Sequence, residues 1–106
     1  MKKHKLSDSG ARGWFIGDFD KAVVRTKAFE VNYQVNKKGH SPSHLHKIIT
    51  EIQLVLSGRM LVNGVIFTPG EICELEPGDI GQIEYLEECA TVAVKFPSIP
   101  DDKYYV

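Results

Sequence analysis

The sequence predicts an all-β sandwich or barrel. Three observations carry this reading. No segment sustains a helical hydrophobic period, several short segments alternate apolar and polar residues, and turn signals recur roughly every ten residues. The chain has 106 residues, enough for one domain. Hydrophobic residues make up 42% and charged residues 25%, which is ordinary globular usage and sets aside disorder and coiled coil.

Charge narrows the function classes. Lys plus Arg number 13 and Asp plus Glu 14, a formal charge of −1. There is no broad basic field to grip phosphates, so no nucleic-acid partner is expected. The apolar runs fall far short of the roughly 20 residues of a membrane helix, so no membrane partner is expected either. Met1–Asp8 is basic with no apolar segment after it, unlike a secretory signal, and the cytoplasm is the expected location.

Residues 1–12 carry Lys2, Lys3, Lys5 and Arg12 and read as a flexible N-terminal arm; residues 13–106 read as a single domain. Gly13–Phe19 looks like a strand, and Ala22–Arg25 like a short second one. Phe29, Val31, Tyr33 and Val35 alternate with Glu30, Asn32 and Gln34, the period of a strand with one wet face. Asn36–Gly39 breaks that strand. A polar stretch from His40 to Lys47 holds three of the four histidines. Ile48–Leu56 is rich in β-branched residues, Ser57-Gly58 reads as a turn, and Arg59–Val62 pairs back. Asn63-Gly64 is the strongest hairpin signal, followed by Val65–Phe67. Turns at Thr68-Pro69-Gly70 and Glu76-Pro77-Gly78 flank a strand at Ile72–Leu75. Ile80–Tyr85 and Thr91–Phe96 read as strands. Pro97 and Pro100 keep the tail out of any central strand, and Asp101, Asp102 and Lys103 read as tail solvation. Cys73 and Cys89 are too few for a disulfide scaffold and read as small core residues.

The chemistry centres on His44, His46 and Glu51. Residues two apart on a strand face the same way, so both imidazoles can meet one ion. Glu51 lies an odd five residues past His46. A turn within Lys47–Thr50 is needed to fold it beside the pair. Two imidazoles and a carboxylate suit Fe(II), Mn(II), Ni(II) or Zn(II) and leave positions open for substrate. The competing reading is a surface hairpin with solvated histidines. On strand alternation, Glu51, Gln53 and Val55 share one face and Ile52, Leu54 and Leu56 the other. If Glu51 points into a barrel, the apolar trio points out and needs cover, from residues 14–25 or from a second subunit.

Gly39, His44, His46, Glu51 and Gly58 together resemble the first motif of the cupins: a glycine, H-x-H, a glutamate and a closing glycine. Gly70 and Gly78 match the glycine spacing of the second cupin motif. That motif's histidine, a metal ligand in most metal-binding cupins, falls at Gly81, and its asparagine at Tyr85. A rival register on Pro77-Gly78-Asp79 would put Cys89 at the histidine position; the first register keeps both glycines. The resemblance spans residues 28–97. It implies a double-stranded β-helix, the jelly-roll cupin barrel, for residues 13–106, with a ligand site inside near one mouth. It also implies a divalent metal (Fe, Mn, Ni or Zn) at His44, His46 and Glu51, and a homodimer. His40 is a candidate substitute ligand. Tyr33, Gln53, Arg59, Gln82, Tyr85 and Lys95 are candidate pocket-lining residues, and Trp14 reads as a core or interface anchor rather than a sugar platform. The expected function is a small cupin that binds or acts on a small polar molecule. The alternatives are a metal-free binder of a sugar or carboxylate and an accessory β-domain. No catalytic residue can be assigned.

Overall fold

The computed structural model describes residues 1–106. Twelve strands follow in chain order: β1 (Trp14–Gly17), β2 (Val24–Arg25), β3 (Glu30–Asn36), β4 (Gly39–His40), β5 (His44–Leu45), β6 (Thr50–Ser57), β7 (Met60–Val62), β8 (Val65–Phe67), β9 (Ile72–Leu75), β10 (Ile83–Tyr85), β11 (Cys89–Phe96) and β12 (Tyr104–Tyr105). They form a six-stranded sheet in the order β2-β1-β3-β11-β6-β9, a four-stranded sheet β4-β10-β7-β8, and a ribbon of β12 with β5. Every pairing is antiparallel except β1 with β2. The only helical segments are two single 3-10 turns, Leu6–Asp8 and Ala11–Gly13. No helix is long and apolar enough to cross a membrane.

The Asn63-Gly64 turn joins β7 and β8 with positive φ at both residues, the twist that two-residue hairpins require. Both sheets contribute to one apolar plug. Val55, Cys73, Leu75 and Cys89 come from the large sheet, and Met60, Val62 and Ile83 from the small one. The two cysteines are free thiols within this plug.

Beside the plug the interior turns polar, and here the large sheet inverts the reading of β3. Its polar residues Glu30 and Asn32 are buried, whereas Phe29, Tyr33 and Val35 are exposed. Register explains this. Glu30, Lys95 and Glu51 lie side by side across β3, β11 and β6, and Asn32, Ala93 and Gln53 form the next row. Burial of Glu51 and Gln53 sets the inward parity for all three strands. The outward rows are Val31–Val94–Ile52 and Tyr33–Val92–Leu54–Ile72, so the apolar face of this sheet points away from the barrel.

The tail also differs from expectation. Asp102 is only 3% exposed and is part of the structure rather than solvated tail. Its carboxylate accepts the N–H groups of Lys47, Ile48 and Ile49 at 3.0, 2.8 and 2.9 Å. Beyond it, β12 pairs Tyr104 with Leu45 and Tyr105 with His44.

Candidate functional site

His44 sits on β5 and His46 just past its end; the chain then bends through Lys47–Ile49 and enters β6, which carries Glu51. That bend resolves the odd spacing and folds Glu51 onto a neighbouring strand. The bend is fixed by the Asp102 carboxylate, which accepts three of its backbone N–H groups.

All three side chains are buried. Their ligand atoms lie within 4.8 Å of one another. His44 Nε2 is 3.6 Å and His46 Nε2 3.3 Å from the same oxygen, Glu51 Oε1. The rings meet edge to face, 5.2 Å between centroids. The other ring nitrogens fix the tautomers. Nδ1 of His44 donates to the Pro42 carbonyl at 3.3 Å, and Nδ1 of His46 donates to the Asp102 carbonyl. A carbonyl can only accept, so each Nδ1 carries the proton and each Nε2 lone pair faces inward. Glu51 Oε2 is held by the Gln53 amide at 3.2 Å.

Two neutral imidazole nitrogens and a carboxylate oxygen are all acceptors. Three acceptors converging in a buried space need a cation between them: a metal ion, or protons that turn the imidazoles into imidazolium donors. The donor set therefore fits a divalent ion held by His44, His46 and Glu51, with backbone carbonyls and Gln53 orienting the ligands from behind. Burial alone would push the Glu51 carboxyl up. When the imidazoles carry a second proton, their hydrogen bonds to Glu51, with the Lys95 charge, outweigh burial and hold the carboxyl far below the ordinary carboxylate range.

The triad opens onto a cavity of about 380 Å³, within the range of small-molecule sites. Gln53, Tyr85, Lys95 and Trp14 line it. Burial pushes the Tyr85 phenol up to about 12, so it stays a neutral donor at physiological pH. Burial lowers the Lys95 ammonium below the ordinary lysine range; the charges of Glu51 and Glu30 partly offset this, while Lys103 and Arg12 add to it. Its Nζ lies 4.8 Å from the centre of the Trp14 ring. Trp14 thus forms part of the cavity wall and is half-buried rather than part of the apolar plug.

Four sequence candidates lie elsewhere. His40 is on the edge strand β4 with its side chain 79% exposed, 3.8 Å from Glu84, and cannot replace a missing ligand. Tyr33 has the outward parity of β3. Arg59 lies between β6 and β7 and pairs with Glu87 at 3.1 Å on the surface. Gln82 is exposed beside Asn63, in a shallow groove it shares with His40. Conversely, Arg12, Glu30, Asn32 and Asp102 line the cavity. For Glu30 and Asn32 the sequence signal is the polar alternation of β3, legible only once the inward face is known; nothing local marks Arg12 or Asp102.

Gly81 stands where the resemblance places the absent histidine. It exchanges backbone hydrogen bonds with His44, N to O at 2.8 Å and O to N at 3.3 Å. A Cβ there would lie 3.9 Å from His44 Cε1. Position 81 is thus adjacent to the triad, as the preferred register implies.

No protein-family model and no curated protein matches the sequence. Solved structures do. An uncharacterised conserved protein with a double-stranded β-helix domain from Klebsiella pneumoniae shares 22% identity at a TM-score of 0.68, over 79% of this chain and 75% of that one. KdgF from Halomonas sp. shares 18% at 0.66, over 72% and 74%. A variant of Streptomyces PAC13 solved with uridine shares 14% at 0.72, over 100% and 91%; Pac13 is described as a β-barrel and a nucleoside dehydratase. At these identities the likeness establishes the fold: this chain folds as a double-stranded β-helix.

Proposed function

We propose that this small barrel binds a divalent metal ion through His44, His46 and Glu51, and binds or acts on a small polar molecule in the adjoining cavity. The observation that carries the reading is the convergence of three buried acceptor atoms within 4.8 Å, with both Nδ1 protons committed to backbone carbonyls. A bound Fe, Mn, Ni or Zn ion would supply Lewis acidity beside the cavity. The chain's own part is to orient the two imidazoles, steady Glu51 through Gln53, and present the Tyr85 hydroxyl and the Lys95 ammonium to a ligand.

The test is metal analysis of protein purified without a histidine tag. About one Fe, Mn, Ni or Zn per chain, lost in the His44→Ala, His46→Ala double variant, is the expected result. Metal-free protein after growth and dialysis with each of the four ions overturns the reading.

A second reading is a metal-free binder of a small molecule. The same triad is self-consistent as imidazolium donors to Glu51, and a structural neighbour has been solved with uridine. A metal-free preparation whose melting temperature rises with a sugar or nucleoside favours it.

The apolar outward rows of the large sheet support a homodimer, since Val92, Val94, Ile52 and Leu54 otherwise face solvent on a continuous surface. Sedimentation velocity at micromolar concentration checks it; a monomer overturns it. Two free buried thiols suit a reducing cytoplasm as the working location.

A further inference from the structure

Charges in the cavity are unequally spoken for. Its four carboxylates are all engaged: Asp20 with Arg25 at 3.0 Å, Glu30 with the Ser98 hydroxyl at 2.8 Å, Glu51 with the histidines, and Asp102 with three backbone N–H groups. Its three cations are not. Arg12, Lys95 and Lys103 all line the cavity, and none makes an ion pair with a carboxylate. Lys95 lies between Glu30 and Glu51 on the adjacent strands without a direct ion pair to either, and its Nζ sits 4.8 Å from the Trp14 ring centre; the Lys103 Nζ lies 5.3 Å from that of Tyr105. This occurs in a chain of net charge −1, so a generally basic surface does not explain it.

The placement of Arg12 is enforced by the backbone. Arg12 has φ of +54°, a left-handed conformation uncommon for a residue with a side chain. Gly13 follows at φ +79°, and a Cβ there would lie 1.9 Å from the Tyr33 carbonyl oxygen. The loop is therefore seated directly on β3, and Arg12 lines the cavity together with Lys95. Lys95 itself is the cross-strand neighbour of Glu51, so an anion on Lys95 lies one strand from the triad.

We propose that the cavity takes a small molecule bearing one anionic group, carboxylate or phosphate, which is held by Lys95 with Arg12 and Lys103 while the polar remainder of the molecule reaches toward His44, His46 and Glu51. This rests on the reading of the cavity as a small-molecule site and is independent of whether a metal is bound. Charge-assisted hydrogen bonds to an anion are stronger than neutral ones, so the anionic group dominates selection.

The chain's single tryptophan is Trp14, which makes its fluorescence a direct report from the Lys95 wall. Tag-free full-length protein is titrated with glucose, glucuronate and glucose 6-phosphate, which differ at one carbon. The expected result is a saturable change with at least one anion, weakened by added salt, and none with glucose; the preferred anion distinguishes carboxylate from phosphate. Lys95→Met weakens binding about tenfold or more. Arg12→Asn, on the exposed loop and tolerant of positive φ, weakens it severalfold and serves if Lys95→Met does not fold. Glucose binding as tightly as the anions, no saturable change with either anion, or full binding by both variants overturns the proposal. Metal content assayed on the same samples reports on the triad separately, so failure of the metal reading and failure of this one are told apart.

Discussion

The Asp102 carbonyl accepts the Nδ1 proton of His46, while the carboxylate of the same residue closes the bend between His46 and Glu51. One residue near the end of the chain thus sets both the tautomer of one candidate ligand and the path to another. Asp102→Ala removes three charge-assisted hydrogen bonds and should cost about 2–3 kcal/mol, measured by urea denaturation. Metal affinity should fall about tenfold to a hundredfold, by competition with a chelating dye. Asp102→Asn retains one side-chain acceptor and should lie between. An Asp102→Ala protein with unchanged metal affinity would separate the tail from the site.

Gly81 makes a gain-of-ligand experiment possible. A Cβ at this position meets Leu75 Cδ1 at 3.1 Å, the far end of a flexible side chain, and lies 3.9 Å from the His44 ring. Gly81→His should raise affinity for Zn(II) by about tenfold or more, because a fourth ligand joins three already oriented. Calorimetric titration of both proteins reads this. Unchanged affinity in a folded variant would place position 81 outside the coordination sphere.

Gly13→Ala tests the loop seated on β3. The added methyl meets backbone rather than a side chain, at a positive φ. The expected loss is about 2–4 kcal/mol of stability, or a loop displaced from the cavity with less loss. Thermal unfolding together with Trp14 fluorescence distinguishes the two; no change in either contradicts the packing.

Alkaline pH should weaken the fold through Cys73. Burial, with smaller contributions from Glu51 and Asp79, pushes its thiol up to about 11, above its value in the unfolded chain. The folded form binds its proton more tightly, so this contribution is complete below about pH 9 and is lost as pH rises toward 11. The total is about 2–3 kcal/mol. Urea titrations between these limits should show a shallower decline for Cys73→Ala than for wild type. Parallel declines would assign the loss to other groups.

Much of the fold was legible in local chemistry. The Asn63-Gly64 hairpin, the glycine-proline turns and the alternation of β3 and β11 are short-range signals, and they located most strands within a few residues. The H-x-H pair and Glu51 were also legible, because the pair needs only strand parity. Orientation was not. In β3 the dry face expected from Phe29, Tyr33 and Val35 is the outer one, since a polar cavity reverses the usual hydropathy rule. Tyr33 was misplaced for that reason. Asp102 was unreadable because its partners lie more than fifty residues earlier, and nothing local distinguishes a capping aspartate from a solvated one. Arg12 was assigned to the arm because the seating of Gly13 on Tyr33 is a tertiary event.

The long span between His46 and Asp102 has a consequence for biosynthesis. While the ribosome is still translating the strands, the bend before Glu51 has no carboxylate to close it and His46 has no carbonyl to fix its ring. The β7–β8 hairpin can form locally, but the large sheet waits for β11 to insert between β3 and β6, and the pocket matures only after the segment through Asp102 has left the exit tunnel.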